Sequence, residues 1–337
     1  MKGFLEQYGT AIFTLVLMAI LIAFAGPVGN MIKTNVNTQI QNVNEIGSER
    51  VKNVGRAEEP KEAVDQVYCI LYDDGELTIS QTEITPDENR TVLNKGYFTR
   101  PKDVDTTEGK QHILTVRFVG GVKPKSCAYW FGDWVKDVNT SLISCIHLTE
   151  IKNMENLYSN ECTNMIRMFY NCQSLTTLDL SNFDTSNVTD MSCMFENCIS
   201  LTALDVSNFD TSKVRSMSYM FENCISLTVL DVSNFDTSKV RSMSYMFENC
   251  ISLTVLDVSN FDTSKVRKMS HMFYNCRYLT SLNLSNFDTN NILYMDSMFG
   301  NCQTLILDCS SWNVSKVTNH ESFNTNAPNV IPPTWTN

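Results

Sequence analysis

Apolar positions between residues 174 and 303 fall into two alternating patterns. In the first, Leu227, Leu230 and Val232 make an L-x-x-L-x-V run whose last two members alternate inward, which predicts a strand. In the second, Val214, Met217, Met220, Phe221 and Cys224 follow in steps of three, three, one and three, which predicts one face of a short helix. Between them stands N-F-D-T-S. Its Phe209 points inward, and Asp210, Thr211 and Ser212 are residue types that start a helix.

The two patterns recur together. Residues 205–230 are repeated letter for letter as 231–256, a period of 26. Cys172, Cys198, Cys224, Cys250, Cys276 and Cys302 keep that spacing, as do Phe183, Phe209, Phe235, Phe261 and Phe287. A fixed period of this size marks a solenoid, whose units bury a face only against their neighbours. The predicted unit is strand, turn, short helix and return. The expected fold class is an α/β repeat solenoid of 26-residue units, preceded by a small β-rich cap and a long N-terminal hydrophobic helix.

The run L-x-x-L-D-(L/V)-S-N-F-D-T-S-x-V-x-x-M-x-x-M-F-x-N-C-x-S resembles the BspA-like leucine-rich repeats of bacterial surface proteins. The match covers residues 162–303 and continues more loosely at Pro124–Phe131, where Cys127 takes the Met217 place and Phe131 the Phe221 place. Phe131 and Phe169 are 38 residues apart instead of 26, so the first coils carry an insertion. The resemblance implies a curved, non-catalytic solenoid at the cell surface, used for adhesion to host or matrix.

The expected organisation is an N-terminal hydrophobic helix and stalk over 1–48, a linker over 49–66, a β-rich cap over 67–119, the solenoid over 120–325 and a Pro-broken tail over 326–337. Residues 8–32 hold 25 positions with no charge between Ala11 and Gly29, long enough to cross a bilayer as a helix. Ala23-Phe24-Ala25 offers a rival signal-peptide cleavage site, and either route exports the remainder. Glu6, Tyr8 and Gly9 before the apolar run are similar to type IV or Flp/Tad pilins, which implies self-assembly through that helix. Lys2 and Lys33 flank the run alike, so charge does not orient it. In the cap, Asp73-Asp74-Gly75 between VYCILY and ELTISQ predicts a hairpin, and GYFTR and HILTVRF add strands.

A net charge of −11 argues against a nucleic-acid partner. The twelve cysteines include no C-x-x-C pair, and four scattered histidines complete no zinc site, so neither metal nor cofactor is expected. Six cysteines recur one per unit as small buried hydrophobes. Cys69, Cys127, Cys145, Cys162, Cys193 and Cys309 break the pattern and leave an extracellular disulfide open, with no pairing assigned. No nucleophile motif or phosphate loop occurs, so catalytic residues are not expected. The Asp184, Asp210, Asp236, Asp262 and Asp288 column is accounted for by capping.

A second column is the candidate site. Asp179, Asp205, Asp231 and Asp257 fall between inward strand residues and so face outward, flanked by Thr176, Thr202, Thr228, Thr254 and Thr280. Carboxylates spaced at about 5 Å repel by roughly 0.8–3 kcal/mol per pair, which a basic or divalent-bridged ligand would relieve. Cys193, Tyr219, Tyr245, His271 and Ser297 take equivalent outward places on the opposite face. The function expected is non-enzymatic recognition of a protein or glycan ligand, presented outside the cell from the membrane or after secretion. A pilin-like filament subunit is the alternative, and a secreted hydrolase the third class.

Overall fold

The computed structural model describes residues 56–98, 113–132 and 145–335, all within one compact unit spanning Asn53–Asn337. The apolar segment 8–32, read as a membrane-crossing or pilin-like helix, and the stalk to Ser48 lie outside the described residues. Among the described residues no helix is long and apolar enough to cross a membrane.

The chain enters through a five-stranded sheet of order β3-β1-β2-β4-β5. β1 (Val67–Tyr72) and β2 (Glu76–Ser80) form the antiparallel hairpin around Gly75, whose φ of 83° suits a residue without a Cβ. β3 (Val92–Phe98) pairs antiparallel on the outer side of β1. β4 (Thr115–Phe118) and β5 (Glu150–Lys152) then continue from β2 in parallel, and with them the coils begin. One apolar core runs from Val67 to Val330 without a break.

Each coil contributes only short strand pairing. β6 (Ala203–Leu204) pairs in parallel with β7 (Val229–Leu230), and β8 (Leu307–Asp308) with β9 (Val330–Ile331). A second parallel ladder of single bridges joins Ser216, Ser242, Lys268, Tyr294 and Asn319.

The helix expected in each unit is absent, so the α/β assignment is corrected: the described residues hold no α-helix, only a 3-10 turn at Met154–Asn156. The reason lies in the backbone bonds. Met220 N–H goes back three residues to Met217, and Glu222 N–H goes back three to Tyr219. The intervening N–H groups leave the coil: those of Met217, Tyr219, Phe221 and Asn223 donate to Ser242, Ser244, Met246 and Glu248 of the next coil. Tyr219 and Asn223 sit at φ of 63° and 56°, a left-handed conformation that ends an α-helix at once. The same pair of positive φ angles recurs at Cys193 and Asn197, Tyr245 and Asn249, and His271 and Asn275. Steps of three, three, one and three fit such linked turns as well as they fit a helix.

The predicted inward residues are inward. Met217, Met220, Phe221 and Cys224 are essentially unexposed, and Phe131, Phe169, Phe195, Phe221, Phe247, Phe273 and Phe299 stack in one column with ring centroids 5.4–5.7 Å apart. N-F-D-T-S is a turn between coils rather than a helix cap. Asn234 Nδ2 donates to the carbonyls of Val206, Ser207 and Phe209 in the coil before. Asp236 Oδ1 accepts Ser238 N–H at 2.9 Å, and the buried Thr237 hydroxyl donates at 3.0 Å to Asp262 of the coil after. Ser238 holds the Asp236 carboxyl below its ordinary range through its hydroxyl and then its N–H.

The early coils keep this register. Cys127, Tyr129 and Phe131 donate to Asn164, Ile166 and Met168 as Met165, Arg167 and Phe169 donate to Asp190, Ser192 and Met194. Cys145 N–H bonds to Phe131 as Cys172 N–H bonds to Phe169, so Cys145 is the first member of the thiol column and the insertion falls between Phe131 and Cys145.

Candidate functional site

The predicted strip is assembled on one face. Thr176, Asp179, Thr202, Thr228, Thr254, Asp257 and Thr280 are exposed, while Asp205 and Asp231 are half-buried. Ala203 faces Val229 and Leu204 faces Leu230, so equivalent side chains of neighbouring coils stand one strand spacing apart, about 4.8 Å. Part of the strip also supports the fold. Oδ1 of Asp179, Asp205, Asp231 and Asp257 accepts the N–H two residues on, at 2.9–3.0 Å. The Thr228 and Thr280 hydroxyls donate to the carbonyls of Thr202 and Thr254. The next coil carries Asn283 at the Asp place. Among the described residues no group of His, Cys, Asp and Glu is arranged to hold a metal ion.

A second strip was missed. Arg215, Arg241 and Arg267 are exposed and stacked directly, since Arg241 N–H donates to Arg215 and Arg267 N–H to Arg241, both at 3.0 Å. Lys213, Lys239 and Lys265 run beside them, with Lys268 at the end, all exposed. The lysines run beside the turn aspartates, and Lys213 and Lys265 help hold Asp210 and Asp262 below the ordinary carboxylate range after their serine partners Ser212 and Ser264. The arginines form no ion pair among the described residues. Thr189 and Leu293 occupy their place in flanking coils, so the fold does not require a cation there. The signal was the repeated S-K-V-R, hidden beneath the negative net charge.

The opposite face is less open than the outward places of its residues predict. Cys193 is buried, and Tyr219, Tyr245 and His271 are half-buried rings stacked at 4.5 and 4.6 Å. Below them Glu196, Glu222 and Glu248 form a partly buried row ending where His271 Nδ1 lies 3.4 Å from Glu248 Oε2. Asn249 Nδ2 donates to Asn223 Oδ1 at 2.7 Å, one rung of an asparagine ladder alongside. Burial first, then the charges of Glu196 and Glu248, push the Glu222 carboxyl up to about 8.

An acid whose folded pKa is raised binds its proton longer when folded, so Glu222 costs stability increasingly as pH rises from about 4.5 to about 8. Glu222→Gln is therefore expected to stabilise the protein by about 1–2 kcal/mol at pH 8, after allowance for solvent screening, and by little at pH 4.5. Urea midpoints at the two pH values check this. An equal shift at both would remove the electrostatic explanation.

The column cysteines are buried. Sγ of Cys198, Cys224, Cys250, Cys276 and Cys302 donates at 3.0–3.2 Å to Phe169, Phe195, Phe221, Phe247 and Phe273 carbonyls one coil back. Burial raises their pKa, so they serve as small hydrophobes that satisfy a buried acceptor. A shallow hollow of about 560 Å³ lies where the unit shortens by one residue at Trp312, lined by Phe287, Asp288, Leu307, Asp308, Trp312 and Asn313.

Stacked coils with exposed, coil-repeated side chains define a repeat protein whose surface is a periodic array. The chain belongs to the family described as "Mycoplasma protein of unknown function, DUF285", which matches residues 136–253 and again 226–333, together more than half of the sequence. It is also similar to the crystal structure of a leucine-rich repeat protein from Bacteroides ovatus ATCC 8483, at 14% identity over 80% of this chain and 90% of that one, with a TM-score of 0.27. No curated protein matches.

Proposed function

We propose that the protein is a non-enzymatic surface-recognition module whose solenoid is carried outside the cell, with the apolar segment 8–32 directing its export. The observation that supports this most is the Thr and Asp strip, in which Thr202, Asp205, Thr228, Asp231, Thr254 and Asp257 repeat at one-coil spacing on an open face. Many weak contacts to a repeating ligand add along such an array. The ligand of this strip is a basic or divalent-bridged protein or glycan.

The arginine ladder favours a second reading of the same class. Guanidinium forks at about 4.8 Å intervals suit sulfates or carboxylates on a thin polymer. A bare duplex would set its phosphates against the adjacent Asp210, Asp236 and Asp262.

One binding experiment with the full chain addresses both strips. Immobilised matrix proteins and neutral, acidic and sulfated polysaccharides are probed with wild type, with Asp205→Asn plus Asp231→Asn, and with Arg215→Thr plus Arg241→Thr plus Arg267→Thr. The aspartate variant is expected to lose about tenfold or more in affinity for a basic or calcium-bridged ligand. The arginine variant is expected to lose salt-sensitive binding to sulfated chains. Binding unchanged by the aspartate pair and by chelator sinks the first strip. Full resistance of the chain to protease added to intact cells sinks the surface location.

A further inference from the structure

Two core places in the first coils are occupied by cysteine where the coils that follow, as far as Ile292 and Met295, have an aliphatic or thioether side chain. By its backbone bonds Cys127 stands where the next coils carry Met165, Met191 and Met217. Cys162 stands three residues before Met165, as Val188 stands before Met191 and Val214 before Met217. Both are wholly unexposed. Unlike the column cysteines, whose thiols each turn to a phenylalanine carbonyl, these two thiols are close enough to act on one another's charge. The Asn164 carbonyl accepts Cys127 N–H at 3.0 Å and Cys162 Sγ at 3.4 Å, so both residues converge on one acceptor. That shared carbonyl brings Cys162 Sγ beside the Cys127 backbone of the neighbouring coil.

We infer that Cys127 and Cys162 form a disulfide as the chain folds under oxidising conditions, fastening the first coil to the second across the segment that holds the insertion. The co-reactant is a low-molecular-weight disulfide or the disulfide of a folding oxidoreductase. The Cys162 thiolate attacks one of its sulfurs, forming a mixed disulfide and expelling one thiolate. The Cys127 thiolate then attacks Cys162 Sγ and expels the other. The cysteine pair gives up two electrons and two protons, and the co-reactant leaves as two thiols. Exchange precedes closure of the coil, because the folded pair is sealed from solvent.

The inference rests on the exported location only for where the bond forms, and the experiment keeps the two apart. Full-length chain is refolded with oxidised and reduced glutathione or with dithiothreitol, and thiols are counted after denaturation. Ten free thiols instead of twelve in the oxidised sample, with a cross-linked peptide two hydrogens lighter joining Cys127 to Cys162, is expected. Cys127→Met plus Cys162→Val, which restores the later coils' own residues, should fold and show ten thiols under both conditions. Twelve thiols after oxidative refolding, or a bond between other cysteines, overturns the pairing. If the bond forms in vitro but protein alkylated inside intact cells has both thiols free, the pairing stands and the exported location fails.

Discussion

Phe221→Ala is expected to destabilise the protein by about 3–5 kcal/mol, as large-to-small changes in dense cores do. Phe221 is wholly buried, with the rings of Phe195 and Phe247 at 5.6 and 5.7 Å on either side, so its loss opens a cavity between two coils at once. Its carbonyl also accepts Cys224 N–H at 3.1 Å and Cys250 Sγ at 3.2 Å, tying its own coil to the next. In a stack where each unit touches only its neighbours, such a defect weakens two interfaces and can uncouple the halves. The urea transition should move to lower concentration and broaden or split, with hydrogen-exchange protection falling first between residues 195 and 247. A single sharp transition displaced by less than about 1 kcal/mol would show that the ring column is not a main source of cohesion.

Glu76→Gln should cost about 2–4 kcal/mol, since it leaves cations arranged around a carboxylate that is gone. The Glu76 side chain is 8% exposed and receives Arg90 Nη1 at 3.0 Å, Arg117 Nη2 at 2.9 Å and Lys152 Nζ at 3.4 Å. It sits on β2, at the junction where β2 passes into the parallel β4 and β5, so the loss falls where hairpin and coils join. Burial alone would raise its pKa, but the bonds from Arg117 and Arg90 outweigh that and hold it at about 2. A folded pKa below the unfolded value means the contribution is complete above about pH 4.5 and is lost as pH falls towards 2. Wild type and variant should therefore differ most near neutrality and converge in acid, which thermal unfolding at pH 7 and pH 3 would show. A constant difference across that range would assign the effect to packing instead.

The inward and outward sides of each unit were legible because burial depends on the side chain: Phe221, Met217 and Cys224 are inside and Thr228 is outside, as their spacing implied. The conformation carrying them was not. Steps of three and four residues describe helices and linked turns equally, and only the left-handed Tyr219 and Asn223 separate the two. The N-C pair in every unit, with asparagine tolerating positive φ, was the available clue. The Asp and Thr strip was legible because strand alternation is strict. The arginine ladder escaped because net charge averages over the whole chain and hides local stacking. Glu222 escaped because nothing in its sequence neighbourhood marks it as half-buried. The Cys127 and Cys162 pair needed the insertion to be placed between Phe131 and Cys145, which only the coil-to-coil bonds supply.

Residues 205–230 and 231–256 are the same letters, and each bonds to its neighbours through backbone groups at matching places. A nascent coil arriving to dock thus meets two indistinguishable templates, and landing on the wrong one loops out a whole unit while leaving nearly every local bond satisfied. Escape from that slipped state requires undocking, so refolding should include a slow phase that vanishes once point changes give the two copies different identities.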